Sequence, residues 1–323
     1  MATATAASSK REAKEKARGT IRDQGYQRYS GEYLPESGRW WLITRRMLRM
    51  AARQPWVTAM LIVAILPALG WGVVVWIASK TAAMMAAAAA QAAAQGGQVP
   101  PGMAAPPPAD SFVLGVSIEP YGTLLIAFLT ALFAGGGAIA DDARGGASQF
   151  YFARPVSRGH YLVGKVLPPV LLVLIVTLGP AVILSLLRVA LAAEGGGLGP
   201  ALLLPLRALA FGLIEAAALA LPVVALSSLA KSRAAVQGGF AALFLLPWIV
   251  GGIFVSVTRS PWPSLLSIPT HLRVIGMALF GLPAPEDARL LPWWVSAIAL
   301  AALVAGALAV LRARVAKMED VSA

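Results

Sequence analysis

Few stretches of this chain have the residue types that catalysis or ligand binding needs, and the most suggestive is GHYLVGKVL, Gly159 to Leu167. Gly159, Gly164 and Lys165 satisfy the G-x-x-x-x-G-K part of a phosphate-binding loop, but Val166 stands where Ser or Thr would hold Mg²⁺. A working loop of this kind follows a strand, opens a helix and wraps phosphates in backbone N–H groups. Here it follows a charged stretch and runs into VLPPVLLVLIV, and no strand–helix alternation exists in the chain to build the sheet. The match therefore reads as coincidence. Lys165 reads instead as an ammonium at the end of an apolar run, able to snorkel to phosphate headgroups.

The other candidates are sparse. Glu215 lies within FGLIEAAALALPVVAL, where a carboxylate is expensive and faces a bundle interior or a wet cavity. It reads either as a transport-path residue or as a neutral, hydrogen-bonded carboxyl at a helix contact. Arg207, eight residues earlier, is about 12 Å away along a helix axis and is no simple partner. Asp141 and Asp142 are the one adjacent acidic pair at the end of an apolar run, and helix capping is the use expected of them. His160 and His271 are far apart and there is no cysteine, so a metal centre and a disulfide framework are both unexpected. No nucleophile–base pair or carboxylate dyad is legible, which leaves an integral-membrane enzyme without a catalytic constellation.

The elements that must position these residues follow from composition. Of 323 residues 58% are hydrophobic and 13% charged, with mean hydropathy +0.71. Soluble domains carry roughly 25% charged residues, so lipid must be part of this chain's solvent. The net charge of +12 is not a nucleic-acid footprint, because 12 of the 27 Lys and Arg lie in residues 1–56 and the rest sit in short connections. Residues 1–38 are polar and mixed in charge, and are expected to be disordered and cytoplasmic. Residues 39–55, RWWLITRRMLRMAARQP, set Trp40 and Trp41 among Arg45, Arg46 and Arg49 and predict an amphipathic helix lying in the membrane interface, the alternative being a cytosolic extension of the first spanning helix.

Six apolar runs of spanning length follow, at about 56–79, 121–140, 166–187, 208–229, 237–257 and 293–312. The arginines of residues 39–53 face only Lys80 across the first run, which places the amino terminus inside, and six spans return the carboxyl terminus to the same side. The expected fold is thus an all-α integral membrane protein of six transmembrane helices, both termini cytoplasmic, with 316–323 a short tail. The segment 258–292 is apolar but broken by Pro269 and Gly281, so it reads as re-entrant or interfacial. Residues 80–120 are an outer loop that runs from an alanine tract into Pro/Gly-rich sequence. Gly135, Gly136 and Gly137, with Gly251 and Gly252, suit close packing or bending, and Pro180 and Pro247 suit kinks.

Between the second and third runs lies DDARGGASQFYFARPVSRGHYLVGK, residues 141–165. This stretch resembles the permease subunits of ABC-2 type ABC transporters, whose corresponding loop runs acidic-x-x-x-Gly-Thr, an apolar stretch, Pro-Val-Ser-Arg, then Tyr-Leu-x-Gly-Lys. Asp142 falls on the acidic position and Gly146 on the glycine. Phe150, Tyr151 and Phe152 occupy the usual leucine run. Pro155, Val156, Ser157 and Arg158 form the Pro-Val-Ser-Arg element, and Tyr161, Leu162, Gly164 and Lys165 the closing one. Ala147 replaces the usual threonine. The resemblance is specific over about 25 residues and looser over roughly 39–315.

The resemblance implies a permease that forms the substrate pathway, an exporter of the bacterial plasma (inner) membrane. It would have no cofactor of its own, with ATP–Mg bound by separate ABC ATPase subunits and a second permease copy, identical or different, completing the assembly. It also implies that residues 141–165 form a short coupling helix docked on an ATPase subunit. The residues fit such a role. Phe150, Tyr151 and Phe152 supply apolar anchors, Arg154 and Arg158 flank Pro155, which turns the chain back to the membrane, and Gly145 and Gly146 allow a sharp entry. Taken without the resemblance, the same residues equally make an interfacial aromatic belt with positive-inside arginines. A secondary transporter relying on Glu215, and a membrane anchor of a larger envelope machine, remain alternatives. No charge cluster singles out lipids, peptides, drugs or polymers as substrate.

Overall fold

The computed structural model describes residues 38–95, 123–146, 157–195, 202–283 and 289–320, and among these there is no β-strand. The helices are α1 Arg39–Ala52, α2 Pro55–Ala94, α3 Leu124–Gly135, α4 Ala140–Arg144, α5 Arg158–Gly195, α6 Leu204–Leu229, α7 Arg233–Thr258, α8 Ile268–Phe280 and α9 Trp293–Asp320, with a 3-10 turn at Trp262–Leu266 before α8. Six helical stretches among the described residues are long and apolar enough to cross a membrane: α2, α3 with α4, α5, α6, α7 and α9. The chain is an all-α, multi-pass membrane protein.

Burial explains why lipid is needed. α6 sits at the centre, packed against α3, α5, α7, α8 and α9, and is buried for most of its length. α2 and α7 instead expose Ile62, Leu66, Leu69, Ile249, Ile253 and Phe254 over half or more of their surface. Such contiguous apolar faces are not stable in water. Between α3 and α7, Phe128 stacks on Phe244 at 4.3 Å and on Phe240 at 5.4 Å.

Several helices run past the bounds read from sequence, each for a local reason. α2 continues from Lys80 to Ala94 because the tract MMAAAAAQAAA is made of the best helix former and holds no breaker. α5 begins at Arg158, eight residues before the apolar run, because Ser157 caps it: its Oγ accepts the His160 N–H at 3.3 Å. The second span is interrupted. α3 stops at Gly135 and α4 starts at Ala140, and Ser227 of α6 fills the gap. Its Oγ accepts the N–H groups of Ile139 and Ala140, each at 3.0 Å, and donates to the Gly136 carbonyl at 3.1 Å. The break is thus a built feature, with three backbone groups satisfied by one hydroxyl. Gly135 permits the close approach of α6, since a Cβ there would overlap Val223. Pro180 and Pro247 lie inside α5 and α7.

α1 uses its apolar face differently from a helix floating on lipid. Trp40, Ile43, Thr44 and Met47 recur at helical spacing and turn inward, with Ile43 and Thr44 buried. Arg45, Arg46 and Arg49 lie on the opposite, exposed side, and Trp41 stays about half exposed between the two faces. The apolar stripe is spent on α5. Gly164 is the crossing point, where a Cβ would sit 2.7 Å from the Ile43 Cβ and 3.2 Å from the Trp40 carbonyl.

Candidate coupling site

The end of the bundle that carries α1 also gathers α4, the start of α5, the end of α6 and the start of α7. Three residues from the two ends of the 141–165 stretch meet there. Asp142 leaves α4 with its Oδ2 2.5 Å from Lys165 Nζ and accepting the Tyr161 hydroxyl at 3.0 Å. The ammonium also lies 5.8 Å from the Tyr161 ring centroid. Tyr161 is fully buried and Lys165 nearly so. A buried pair of this kind holds its geometry because either charge left alone would be strongly unfavourable.

This placement corrects two expectations. Lys165 does not snorkel, because its ammonium is turned inward onto Asp142, which is close enough to compensate it. The acidic pair does not cap a helix either. Ile139 occupies the cap of α4 without a side-chain bond. Asp142 is committed to Tyr161 and Lys165, and the exposed Asp141 pairs with Arg144 at 3.1 Å. The stretch Gly159–Lys165 is helix throughout, inside α5, and not a phosphate loop; Gly164 serves helix packing and Gly159 is exposed.

Around the cluster the chain is arranged for a tight exit and return. Gly145 caps the end of α4, and Gly146 takes a left-handed backbone at φ 66° that favours glycine. On the return, Ser157 Oγ lies 2.9 Å from His160 Nδ1, and Arg158 is exposed in the first turn of α5. Phe150, Tyr151, Phe152, Arg154 and Pro155 lie outside the described residues. Arg233 of α7 donates to the Phe133 carbonyl at 2.8 Å, tying α7 to the last turn of α3. A cavity of about 470 Å³ opens beside the cluster, lined among others by Asp141, Asp142, Lys165, Arg233 and Trp56.

Glu215 stands apart from this site. It is fully buried in α6, and among the described residues neither carboxylate oxygen has a hydrogen-bond partner. Thr177 of α5 is the polar side chain set against it, but that hydroxyl donates to the Val173 carbonyl at 3.0 Å. No solvent reaches Glu215 in this conformation. Arg207 is engaged elsewhere, donating to the Phe280 carbonyl at the end of α8 at 3.3 Å. Sequence reasoning passed over Ser227 and gave Tyr161 and Ser157 no contact. Ser157 carried a signal, a small hydroxyl residue just ahead of a helical run, whereas Ser227 carried none.

A helical bundle with six spans, an amphipathic leading helix and a charged tie across its second and third spans defines a multi-pass helical membrane domain. Residues 41–309 match the family described as ABC-2 family transporter protein, and the chain belongs to that family. Chains of this family are the transmembrane component of the transporter and not its ATPase, and membership implies association with ABC ATPase subunits and with the bilayer. No curated protein matches the chain.

Proposed function

We propose that this chain is the substrate-pathway subunit of an ABC-2 exporter, and that the 141–165 connection receives force from a separate ATP-hydrolysing subunit on the cytoplasmic side of a bacterial plasma membrane. The observation that carries this reading is the Asp142–Tyr161–Lys165 cluster. A loop held only by its peptide bonds would absorb a push as local motion. Here the two ends of the connection are locked to each other by an ion pair and a hydrogen bond, one on α4 and one on α5, so displacement at the tip moves the second and third spans together. α1, seated on Gly164 of the same helix, joins that unit.

ATP acts on such a bundle only through the different contacts its partner makes in two states, which shifts the population between inward and outward access. A second permease copy would complete the pathway, and the long exposed apolar faces of α2 and α7 leave surface for one. The test is co-purification. An ATPase subunit should follow the tagged wild-type chain, and replacing Phe150, Tyr151 and Phe152 with alanine should abolish that while insertion stays normal. Retention of the ATPase by the triple variant would overturn the docking assignment. Reconstituted transport without any ATPase would favour a secondary transporter.

A further inference from the structure

At the end of the bundle remote from Asp142, a cavity of about 340 Å³ lies between α3, α7, α8 and the stretch that enters α9. Its walls are largely apolar, with Leu124 from α3 and Phe244 and Trp248 from α7. Two cations line it, Arg273 on α8 and Arg289 just before α9, and both are exposed. Among the described residues neither guanidinium is in an ion pair.

The hydroxyls at the rim are already used. Ser264 donates to the Pro261 carbonyl at 2.7 Å, and Thr270 pairs with Ser267 at 2.8 Å. Among the described residues the charged groups of the site are therefore donors only, since a guanidinium cannot accept a hydrogen bond. Gly252 forms part of the wall, and a Cβ built there meets nothing within 4 Å. The missing side chain leaves the cavity open without serving a helix contact.

The position along the bundle narrows the ligand. Trp262, Trp293 and Trp294 are all exposed at this end, and exposed tryptophans of a membrane protein collect at the boundary between hydrocarbon and headgroups. A cavity at that level, with two guanidiniums and an apolar wall, is complementary to an anion carrying a hydrocarbon body. The bilayer itself supplies that chemistry. The non-bridging oxygens of a phosphodiester can accept from two guanidiniums at once, and Arg–phosphate contacts are among the stronger charge-assisted hydrogen bonds.

We propose that this cavity is a binding site for an anionic phospholipid, with the guanidiniums of Arg273 and Arg289 on the headgroup phosphate and an acyl chain lying along Leu124, Phe244 and Trp248. The site is independent of the docking assignment, because lipid retention is read with no ATPase present.

The test uses the purified full-length chain in mild detergent, with phosphatidylglycerol and phosphatidylcholine of matched acyl chains added in equal amounts and bound lipid counted by native mass spectrometry. Phosphatidylglycerol should be retained in preference. Arg273→Gln with Arg289→Gln should weaken its binding at least about tenfold, the scale expected when charge-assisted bonds are lost. Gly252→Leu should cause a comparable loss with both charges in place, by filling the space the acyl chain needs. Arg312→Gln, on the exposed surface of α9, should leave retention unchanged. Equal retention of the two lipids, or unchanged binding in both Gly252→Leu and the double arginine variant, overturns the proposal. Displacement of the lipid by millimolar inorganic phosphate would make this a site for a free anion and overturn the lipid assignment. Should the double arginine variant fail to fold, Gly252→Leu and the lipid comparison decide the matter.

Discussion

Asp142 places both of its commitments on one oxygen, and that concentrates the consequences of losing a partner. Lys165→Met would leave a nearly buried carboxylate uncompensated, which costs about 3–5 kcal/mol when a buried pair is broken from one side. The Asp142→Asn/Lys165→Met double variant should recover most of that loss, since neither charge is then left buried alone and the amide oxygen still accepts the Tyr161 hydroxyl. Tyr161→Phe removes one hydrogen bond and leaves the ion pair, so about 1 kcal/mol is expected. Thermal unfolding midpoints in one detergent rank the three, and a double variant less stable than Lys165→Met would refute the pairing. His271 offers a second residue-scale test. Its Nε2 lies 2.7 Å from the Leu265 carbonyl, which can only accept, so Nε2 carries the proton and Nδ1 accepts from Ser296 at 3.2 Å. Burial holds the imidazole below its ordinary value of 6.5, with the bond to Leu265 opposing. The unfolded chain therefore takes up a proton first as pH falls. Stability from this group is present above about pH 6.5 and is lost progressively below it. His271→Gln should flatten the acid limb of the unfolding midpoint against pH, and an unchanged acid limb would show that His271 is not its source.

Within the elements, the second span shows what local sequence can and cannot convey. Three consecutive glycines announced that this helix would bend or pack closely, and α3 does end among them. Nothing in the sequence pointed to the hydroxyl that repairs the gap, because Ser227 sits 88 residues from Ile139 and reads as an ordinary small residue near the end of an apolar run. Ser227→Ala should cost about 1–3 kcal/mol for the backbone N–H groups it leaves unsatisfied, with faster amide exchange at Ile139 and Ala140. Unchanged exchange at both would show the break to be held by packing alone. Similar reasoning applies to α1. Its amphipathic pattern was plain, but a pattern does not say whether an apolar stripe meets lipid or protein. Gly164 settles it, since only a residue without a side chain admits Ile43 so closely. Gly164→Val should dislodge α1 from α5, seen as new proteolytic cleavage in residues 39–54, whereas Gly159→Ala in the exposed first turn should not. The contact between Asp142 and Tyr161, 19 residues apart, was likewise out of reach of spacing. The resemblance placed the two residues in one motif, and only the packing of α4 beside α5 brings them together.

Across the whole molecule, composition alone fixed the solvent, and hydropathy located the six long apolar helices, because both depend on sums over many residues and not on any single contact. Helix ends were less legible, since they depend on what lies beyond the apolar run: α2, at 40 residues and about 1.5 Å each, is about twice as long as a hydrocarbon core of about 30 Å requires. Orientation is a property at this scale too, because each span reverses the side on which the next connection emerges. If the positive-inside rule holds the arginines of α1 inside, the connection between α6 and α7 would also lie inside, and the stretch before α9 outside. The chain has no cysteine of its own, so any introduced one is a unique reporter. Arg45, Lys231 and Arg289 are exposed and mark these three places. In intact cells an impermeant thiol reagent should label Arg289→Cys, while Arg45→Cys and Lys231→Cys should react only after the membrane is opened. Labelling of Lys231→Cys in intact cells, with Arg45→Cys protected, would place an odd number of crossings between them. Labelling of both with Arg289→Cys protected would invert the molecule, putting the Asp142 cluster on the face that no ATPase can reach and the cavity of Arg273 and Arg289 on the face that it can.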